Sequence, residues 1–258
     1  MTRHHAPFTV SSSAGRLWIH PAGRTPREPL LLKGVSWSGM QMLTGCVHEL
    51  WRHSVDDYLD FLQAHSFNAI RIPLSAPLLL ANRFVGRAGS GSGCGEYHGW
   101  LHLDLLDDLI RRCADAGLLV SLCMHALHVP PRNEPLWCDE APCTSDSEAT
   151  LFKAWALLAR RYCGFPNVIM ADLFNEPFGA AWGNGDPGRD WRLLASRLGN
   201  EVLGTCPRWL IAVQGVGSSW RCREACGSDC WWGENLLGQT EHPVELRVDE
   251  RLVLSPHA

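Results

Sequence analysis

The stretch that decides the fold is VIMADLFNEPF, which spans residues 168–178. It joins an apolar run, residues 168–171, to a polar end that carries Asn175 and Glu176. A short apolar run bounded by prolines, as this one is, is typical of a strand in a parallel sheet covered on both faces. At the carboxyl end of such a strand, an acidic side chain faces the ligand side of an α/β fold. We therefore expect Glu176 to lie at the mouth of a buried strand.

Similar apolar runs recur along the chain and alternate with amphipathic helical stretches. The runs predict strands at residues 31–37, 69–74, 118–125, 168–174, 209–213 and 251–256. Helical spacing of apolar residues predicts helices at about 54–64, 103–116, 145–162 and 190–202. This alternation is typical of β/α units wound around a parallel sheet. With 258 residues, 46% hydrophobic content and no internal repeat, the chain is expected to form one domain over residues 1–258.

Charge and hydropathy argue against two classes of partner. The net charge is −4 with no basic cluster, whereas nucleic-acid binding needs several Lys or Arg side chains on one face. No stretch approaches the roughly 20 apolar residues that a membrane-spanning helix requires. The first residues carry positive charge but lack the apolar segment of a secretory signal. We expect that either the protein stays inside the cell or its true N-terminus is missing, so its location stays open.

The eleven cysteines are many for a cytosolic enzyme, yet the absence of a C-x2-C pair argues against a zinc site. Three of them lie in apolar helix or strand patterns and are expected to be small buried residues: Cys113, Cys123 and Cys163. Five lie in loops, where disulfides would fit an oxidising compartment: Cys138, Cys143, Cys222, Cys226 and Cys230.

Seven short motifs follow one another in the order found in a known enzyme family. They are GVSW at 34–37, VHELW at 47–51, NAIRIP at 68–73, DLFNEP at 172–177, DWR at 190–192, WWGENL at 231–236 and LSPH at 254–257. By these motifs the chain resembles glycoside hydrolase family 5, in its bacterial-type endoglucanase (cellulase) branch. The resemblance implies a TIM-type (β/α)8 barrel that cleaves β-linked glucan with retention of configuration by means of two glutamates. No metal or other cofactor is expected.

The resemblance also implies roles for individual residues. Glu176 matches the general acid/base at the end of the fourth strand, and Asn175 matches the residue that hydrogen-bonds the sugar 2-hydroxyl. Arg71 and His125 match polar residues on the floor of the catalytic site. His257 matches the histidine that follows the sixth strand. Independently of the family, an arginine inside a strand such as Arg71 must meet an acid, because an unpaired buried guanidinium is costly.

The residue types suit the cleavage of a sugar acetal. That reaction needs an acid beside the leaving oxygen and a carboxylate opposite it, about 5 to 5.5 Å apart for retention. Indole faces pack on the apolar faces of pyranose rings, and the chain holds twelve Trp against three Tyr. Trp37 falls where aromatic residues border the sugar cleft in the family, and His48 either lines the cleft or packs within its loop. Two readings stay open for Trp182, Trp231 and Trp232, which either stack on sugars or pack under loops.

The chain departs from the family pattern at its end and at single positions. The family carries its nucleophilic glutamate at the end of a seventh strand, whereas this sequence stops at Ala258, directly after His257. We therefore expect about six of the eight β/α units, an open edge between the first and sixth strands, and a nucleophile that this sequence does not encode. Gln214 stands in place of a strand-five glutamate.

Alternative functions stay open beside hydrolysis of β-glucan or a related polysaccharide. A carbohydrate-binding protein with the same cleft but without catalysis would also fit the missing nucleophile. A metal-dependent barrel hydrolase would use the pair His125 and His128, for which no third ligand is evident. A second Asn-Glu-Pro tripeptide, at residues 133–135, lies in a proline-rich loop and is interpreted as a surface turn. The choice between glucan and mannan and the oligomeric state are not decided by the sequence.

Overall fold

The computed structural model describes residues 8–23, 26–86, 93–128, 146–177, 179–183, 186–217, 222, 224 and 227–257. In chain order its strands are β1 (Phe8–Ser13), β2 (Arg16–Pro21), β3 (Glu28–Leu30), β4 (Gly34–Ser36), β5 (Ala69–Ser75), β6 (Leu119–Ala126), β7 (Val168–Asp172), β8 (Leu210–Val213) and β9 (Leu252–Leu254). Its α-helices are α1 (Val55–Ala64), α2 (Ala76–Ala81), α3 (His102–Asp115), α4 (Asp146–Tyr162) and α5 (Trp191–Thr205).

Strands β4 to β9 form one parallel sheet in which each strand pairs with its neighbours in sequence. The register places Arg71 of β5 beside Ser36 of β4 and Ser121 of β6. Six parallel strands with helices between them are an α/β arrangement of the partial TIM-barrel type, which confirms the predicted fold class. Within the described residues, β4 and β9 each have one strand partner and are the two edges of this sheet.

The helix ends follow local signals in the sequence. Ser54 opens α1 with a capping box, since its hydroxyl accepts from the Asp57 N–H at 3.2 Å and its own N–H donates to the Asp57 carboxylate at 2.9 Å. Asp190 caps α5 by accepting from the backbone N–H of Leu193 at 3.4 Å. The short helix α2 was not predicted from the sequence. Among the described helices, none combines the length and the apolar character needed to cross a membrane.

A second sheet, which the sequence patterns did not predict, packs against the parallel sheet. Strands β1, β2 and β3 are antiparallel and lie in that order. Val10 of β1 joins a buried apolar cluster with Ile169, Met170 and Leu210. The strands are hard to recognise in the sequence because β1 (FTVSSS) and β2 (RLWIHP) have no clean apolar alternation. Their burial comes from contact with the barrel strands rather than from their own pattern.

Polar contacts fasten this small sheet to the segment that precedes β9. The Ser12 N–H donates to the Glu250 carbonyl at 2.8 Å, and the Arg251 guanidinium donates to the Val10 carbonyl at 2.6 Å. Arg27 forms an ion pair with Glu250 at 3.4 Å. Because residues 250 and 251 lie just before β9, the small sheet covers the amino-terminal end of the parallel strands, opposite the end where ligands bind in such folds.

The connection from β8 to β9 runs along α5 as an irregular segment. Ser196 accepts a hydrogen bond from the Glu245 N–H at 3.0 Å, and Asn200 donates to the Glu245 carbonyl at 2.9 Å. Leu246 packs so closely on α5 that a Cβ at Gly199 would lie 2.8 Å from its Cδ2. The helix surface thus supplies the hydrogen bonds that this segment would otherwise make within regular structure.

Disulfide bonds join three pairs of cysteines among the described residues: Cys46–Cys94, Cys163–Cys206 and Cys222–Cys230. The expectation for Cys163 was wrong, because the neighbouring ends of α4 and α5 bring it against Cys206. Cys113 and Cys123 are buried free thiols, as predicted. Several residues discussed from the sequence lie outside the described part: Cys138, Cys143, Cys226 and the turn at 133–135.

His102, the first residue of α3, should make the fold less stable as the pH falls. Its side chain is almost fully buried, and this burial lowers its pKa from 6.5 to about 4, although its hydrogen bond to the Gly45 carbonyl opposes the shift. Between these two values the unfolded chain binds the proton more readily than the native state does. The free energy of unfolding therefore decreases as the pH falls through this range.

Urea unfolding at a series of pH values tests this expectation. The variant His102→Gln should lose stability overall, yet its stability should depend less on pH between 6.5 and 4. The matched change His53→Gln alters an exposed imidazole and should leave the pH dependence as it is in the parent. An unchanged slope in His102→Gln would contradict the assignment.

Candidate active site

Polar side chains at the carboxyl ends of the parallel strands meet in one network. Arg71 lies in β5, Asp172 is the last residue of β7, and Gln214 directly follows β8. Asp172 and Gln214 are 3% and 1% exposed, so they have almost no access to water. Buried polar groups are tolerated only when they are hydrogen-bonded, and these three side chains satisfy one another.

Arg71 is the centre of the network. Its Nε donates to Asp172 Oδ2 at 2.8 Å, and its Nη2 donates to Asn175 Oδ1 and to the Cys123 sulfur, each also at 2.8 Å. Burial opposes the guanidinium charge, but the neighbouring Cys123 and Asp172 side chains together outweigh this effect, and the pKa of Arg71 lies above its ordinary value. Burial raises the pKa of Cys123 well above its usual range, so this thiol stays protonated. Asp172 is therefore the acid that an arginine inside a strand needs.

Gln214 connects this ion pair to the next turn of the chain. Its side-chain nitrogen donates to both carboxylate oxygens of Asp172, at 3.1 and 3.0 Å. Its side-chain oxygen accepts from the backbone N–H of Glu176 at 2.8 Å. Its backbone carbonyl accepts from the indole N–H of Trp191 at 2.9 Å. The residue is therefore held from both sides and links β7, β8 and α5.

Glu176 lies four residues beyond Asp172, the last residue of β7. Its backbone is in the left-handed region, with φ of 46°, which is uncommon for a residue with a side chain. Its Oε1 is 2.9 Å from Nδ1 of His257, and its side chain is 27% exposed. A half-buried carboxyl group with one oxygen tied to an imidazole is held in place and still reaches solvent.

His257 is held against Glu176 by a glycine turn. The backbone N–H of His257 donates to the carbonyl of Gly233 at 3.1 Å, and the N–H of Gly215 donates to the same carbonyl at 2.8 Å. Gly233 has φ of +80°, and a Cβ there would lie 3.1 Å from the Gln214 side-chain oxygen and 3.3 Å from Glu176 Cγ. The WWGENL motif thus contributes a glycine on which the catalytic-site candidates pack.

His125 lies in β6 on the same floor. Burial, and then the positive charge of Arg71, lower its pKa from 6.5 to about 4, so its imidazole is neutral at ordinary pH. Its Nδ1 is buried without a hydrogen-bond partner among the described residues. A neutral imidazole with a free nitrogen can donate to or accept from a hydroxyl group. Over the described ranges, no group of three His, Cys, Asp or Glu side chains is arranged to hold a metal ion.

Trp37 connects the backbone of Arg71 to the loop that carries His48. The Trp37 backbone N–H donates to the Arg71 carbonyl at 2.9 Å, and its indole N–H donates to the His48 carbonyl at 3.0 Å. The indole ring makes an edge contact with Tyr58 at 5.2 Å. Gly39 lies beneath this loop, where a Cβ would be 2.6 Å from the His48 nitrogen. The loop that carries His48 is therefore packed tightly against the residues that follow β4.

Trp182 and Trp231 differ in how far their indole rings are exposed. Trp182 packs on Gly238 and donates its indole N–H to the His242 carbonyl at 2.8 Å, so it packs under a loop. Trp231 is 65% exposed and stacks on Trp232, with ring centroids 5.9 Å apart. Trp231 therefore offers an open indole face, whereas Trp182 does not.

Two members of the network were not identified as site residues from the sequence. In the sequence, Asp172 stands out only as part of the DLFNEP motif and Gln214 only as a departure from the family pattern. Which acid meets Arg71 depends on strand register and side-chain direction, and these are set by packing rather than by local sequence. The strand-end position of both residues is the signal that could have found them.

Comparison with known proteins identifies the family of the chain. The model of the cellulase family (glycosyl hydrolase family 5) matches residues 31–258. An endoglucanase of Paenibacillus polymyxa is 35% identical, over 98% of this chain and 63% of that protein. The major extracellular endoglucanase of Xanthomonas campestris pv. campestris is 31% identical, over 97% of this chain and 49% of that protein. The chain thus spans about half to two thirds of the length of these curated relatives.

Solved structures show the same architecture. A cellulase–inhibitor complex superposes with a TM-score of 0.85 at 29% identity, covering 98% of this chain and 70% of that chain. A variant of the endocellulase of Pyrococcus horikoshii in complex with cellotetraose gives a TM-score of 0.83 at 28% identity, with the same coverage. The chain belongs to the cellulase family, glycosyl hydrolase family 5, as its ordered motifs predicted.

A methyl group at Gly233 should disturb the site more than the fold. The variant Gly233→Ala puts a Cβ within 3.1 to 3.4 Å of Gln214, Glu176 and His257, at a backbone angle that side chains rarely adopt. We expect a loss of stability of about 1–3 kcal/mol and displaced NMR signals for the His257 ring. The matched variant Gly204→Ala, in α5 with open space around it, should instead keep the signals and stabilise by up to about 1 kcal/mol. Identical spectra for both variants would refute the packing argument.

Proposed function

We propose that this protein hydrolyses β-1,4-glucan and that Glu176 is the proton donor to the leaving glycosidic oxygen. The observation that carries the proposal is the Glu176–His257 contact at 2.9 Å, at the end of a buried strand. Because Oε1 is tied to His257, we assign Oε2 to the leaving oxygen. A carboxyl group held in this way can act as general acid and then as general base.

The family and the names of the relatives support the choice of substrate. The matched curated relatives are named endoglucanases, and a matched solved structure contains cellotetraose. We extend this substrate class, β-linked glucose polymers, to the present chain. The open indole face of Trp231 suits a pyranose ring at the rim of the cleft.

The residues around Glu176 suit binding of the sugar at the reacting unit. The amide oxygen of Asn175 accepts from Arg71, and this bond fixes the orientation of the amide group. We assign the amide nitrogen of Asn175 to the sugar 2-hydroxyl. His125 supplies a neutral imidazole for a further hydroxyl group. Trp37 and His48 are assigned to the wall of the cleft. The resemblance to the family implies these roles, and the contacts of Arg71 with Asn175 and with Trp37 support them.

A second candidate function, binding without cleavage, depends on which residue supplies the second carboxylate. Retention requires a carboxylate about 5 to 5.5 Å from the acid. Asp172 does not suit that role, because it is 3% exposed and is bound by Arg71 and Gln214. A protein that binds glucan in this cleft without cleaving it is therefore the alternative to the hydrolase.

The variant Glu176→Gln tests the proposal. With cellotetraose as substrate, any release of shorter sugars by the parent chain should fall by about 10²–10⁴-fold in Glu176→Gln, which should still bind the sugar. The control Glu201→Gln changes an exposed acid on α5 and should keep the parent rate. Product analysis by chromatography and binding by calorimetry give the two readouts.

The outcomes separate the two functions. Binding of cellotetraose without product release by the parent chain would favour the binding protein over the hydrolase. Release of products at the same rate by Glu176→Gln would exclude Glu176 as the acid. A parent chain that neither binds nor cleaves cellotetraose would exclude both functions.

A further inference from the structure

We propose that Gln214 is a positioning residue, which holds the backbone of Glu176 in its left-handed conformation and keeps this arrangement independent of pH. The proposal rests on the proposed function only in taking Glu176 as the proton donor. Gln214 itself touches Asp172 and Glu176 and is buried from the cleft. It therefore acts through Glu176 rather than on the sugar.

The two ends of the Gln214 amide have partners that cannot be exchanged. The oxygen end meets a donor, the N–H of Glu176, at 2.8 Å. The nitrogen end meets an acceptor, the carboxylate of Asp172, at 3.0 and 3.1 Å. An amide donates at one end and accepts at the other, so the orientation of the Gln214 side chain is fixed by its neighbours.

The bond to the Glu176 N–H supports a strained backbone. A residue with a side chain at φ of 46° stays in this conformation only when its surroundings require it. Here the Gln214 oxygen holds the N–H, and His257 holds the carboxyl group at 2.9 Å. If the first of these bonds is lost, the peptide is free to turn, and the carboxyl group moves away from the position it needs.

The neutral charge of Gln214 matters as much as its shape. A carboxylate at position 214 would lie about 3 Å from the Asp172 carboxylate, and two ionised acids at that distance do not coexist. One shared proton would have to lie between them. With that proton the acid at 214 would donate to Asp172 and accept from the Glu176 N–H, as the amide does. Without it the donor to Asp172 is lost, and repulsion between the two carboxylates displaces the oxygen that accepts from the Glu176 N–H.

The charged and titratable groups that face this position come from several elements. They are Arg71 of β5, Cys123 and His125 of β6, Asp172 of β7, and Glu176 and His257 from the turns that follow β7 and β9. Asp172 is already bound to the Arg71 cation, so this cation offers an acid at 214 little further help. An acid at position 214 would therefore keep its proton to a higher pH than an exposed glutamate does.

The variant Gln214→Glu tests the proposal, with Gln239→Glu as the matched control. Gln239 also accepts a backbone hydrogen bond, from Val244 at 3.1 Å, in a loop away from this network. The first readout is the amide ¹H–¹⁵N signal of Glu176 followed from about pH 5 to about pH 9, which needs no catalysis. The second is the rate of cellotetraose hydrolysis over the same range.

In Gln214→Glu we expect the Glu176 amide signal to match the parent at the acid end and to move away as the shared proton is lost. The hydrolysis rate should fall in the same interval by up to about a hundredfold, since a small misplacement of a catalytic group has an effect of this size. The parent and Gln239→Glu should share one pH profile in both readouts, and the additional change should appear only in Gln214→Glu. The exchanged pair Asp172→Asn with Gln214→Glu again has one acid and one amide, and it should remove the alkaline change.

Two further results would overturn the proposal. One is a Glu176 amide signal in Gln214→Glu that follows the control at every pH. The other is a signal in Gln214→Met, which lacks both hydrogen bonds, that equals the parent signal while the variant is folded. If the amide signals behave as expected but no cellotetraose is cleaved by any form, the positioning role stands and the hydrolase assignment fails.

Discussion

The ion pair between Arg71 and Asp172 is the interaction on which the rest of the site depends. Removing one member of a buried ion pair leaves an uncompensated charge, which costs about 3–5 kcal/mol. Arg71 also binds Asn175, and Asp172 also binds Gln214. The ion pair therefore fixes the orientation of the Asn175 and Gln214 side chains. The strands β5 and β7 are not adjacent in the sheet, and the guanidinium therefore spans the barrel mouth above β6.

The two acids of the site, Asp172 and Glu176, have different surroundings. Asp172 is buried and carries the permanent negative charge that balances Arg71. Glu176 is partly exposed, and its Oε1 contacts the imidazole of His257. Because a neutral amide joins the two acids, each carboxyl group has its own environment. Pairs of acids with different surroundings are the usual basis for different roles in one site.

The sequence predicted the barrel strands well because their signal is local. A run such as VIMAD is apolar over its whole length, and this pattern alone indicates a strand covered on both faces. The strands β1 and β2 escaped prediction because their burial is supplied by residues about 160 to 200 positions later, such as Ile169 and Leu210. Cys163 was misjudged for a similar reason, since its partner Cys206 belongs to another helix end.

The candidate site also combines residues that local sequence signals identify with contacts that depend on distant parts of the chain. Glu176, Asn175 and Arg71 could be found from motifs at strand ends, and an acid for Arg71 could be required on physical grounds. The choice of Asp172 as that acid, and the bridging contacts of Gln214, depend on strand register and on which way each side chain points. The packing of Trp182 on Gly238 likewise depends on two loops that are distant in sequence. Such facts become visible only when the elements are assembled.

The attachment of the small sheet has a consequence for how the chain acquires its structure. Val10 and Ser12 are fastened to residues 250 and 251, so a contact at the start of the described chain closes a loop of 241 positions. Closing so long a loop is entropically unfavourable and tends to occur late. During synthesis, the first hairpin leaves the ribosome well before its docking partner exists. Its apolar face, with Val10, then needs protection until the strand after Arg251 arrives.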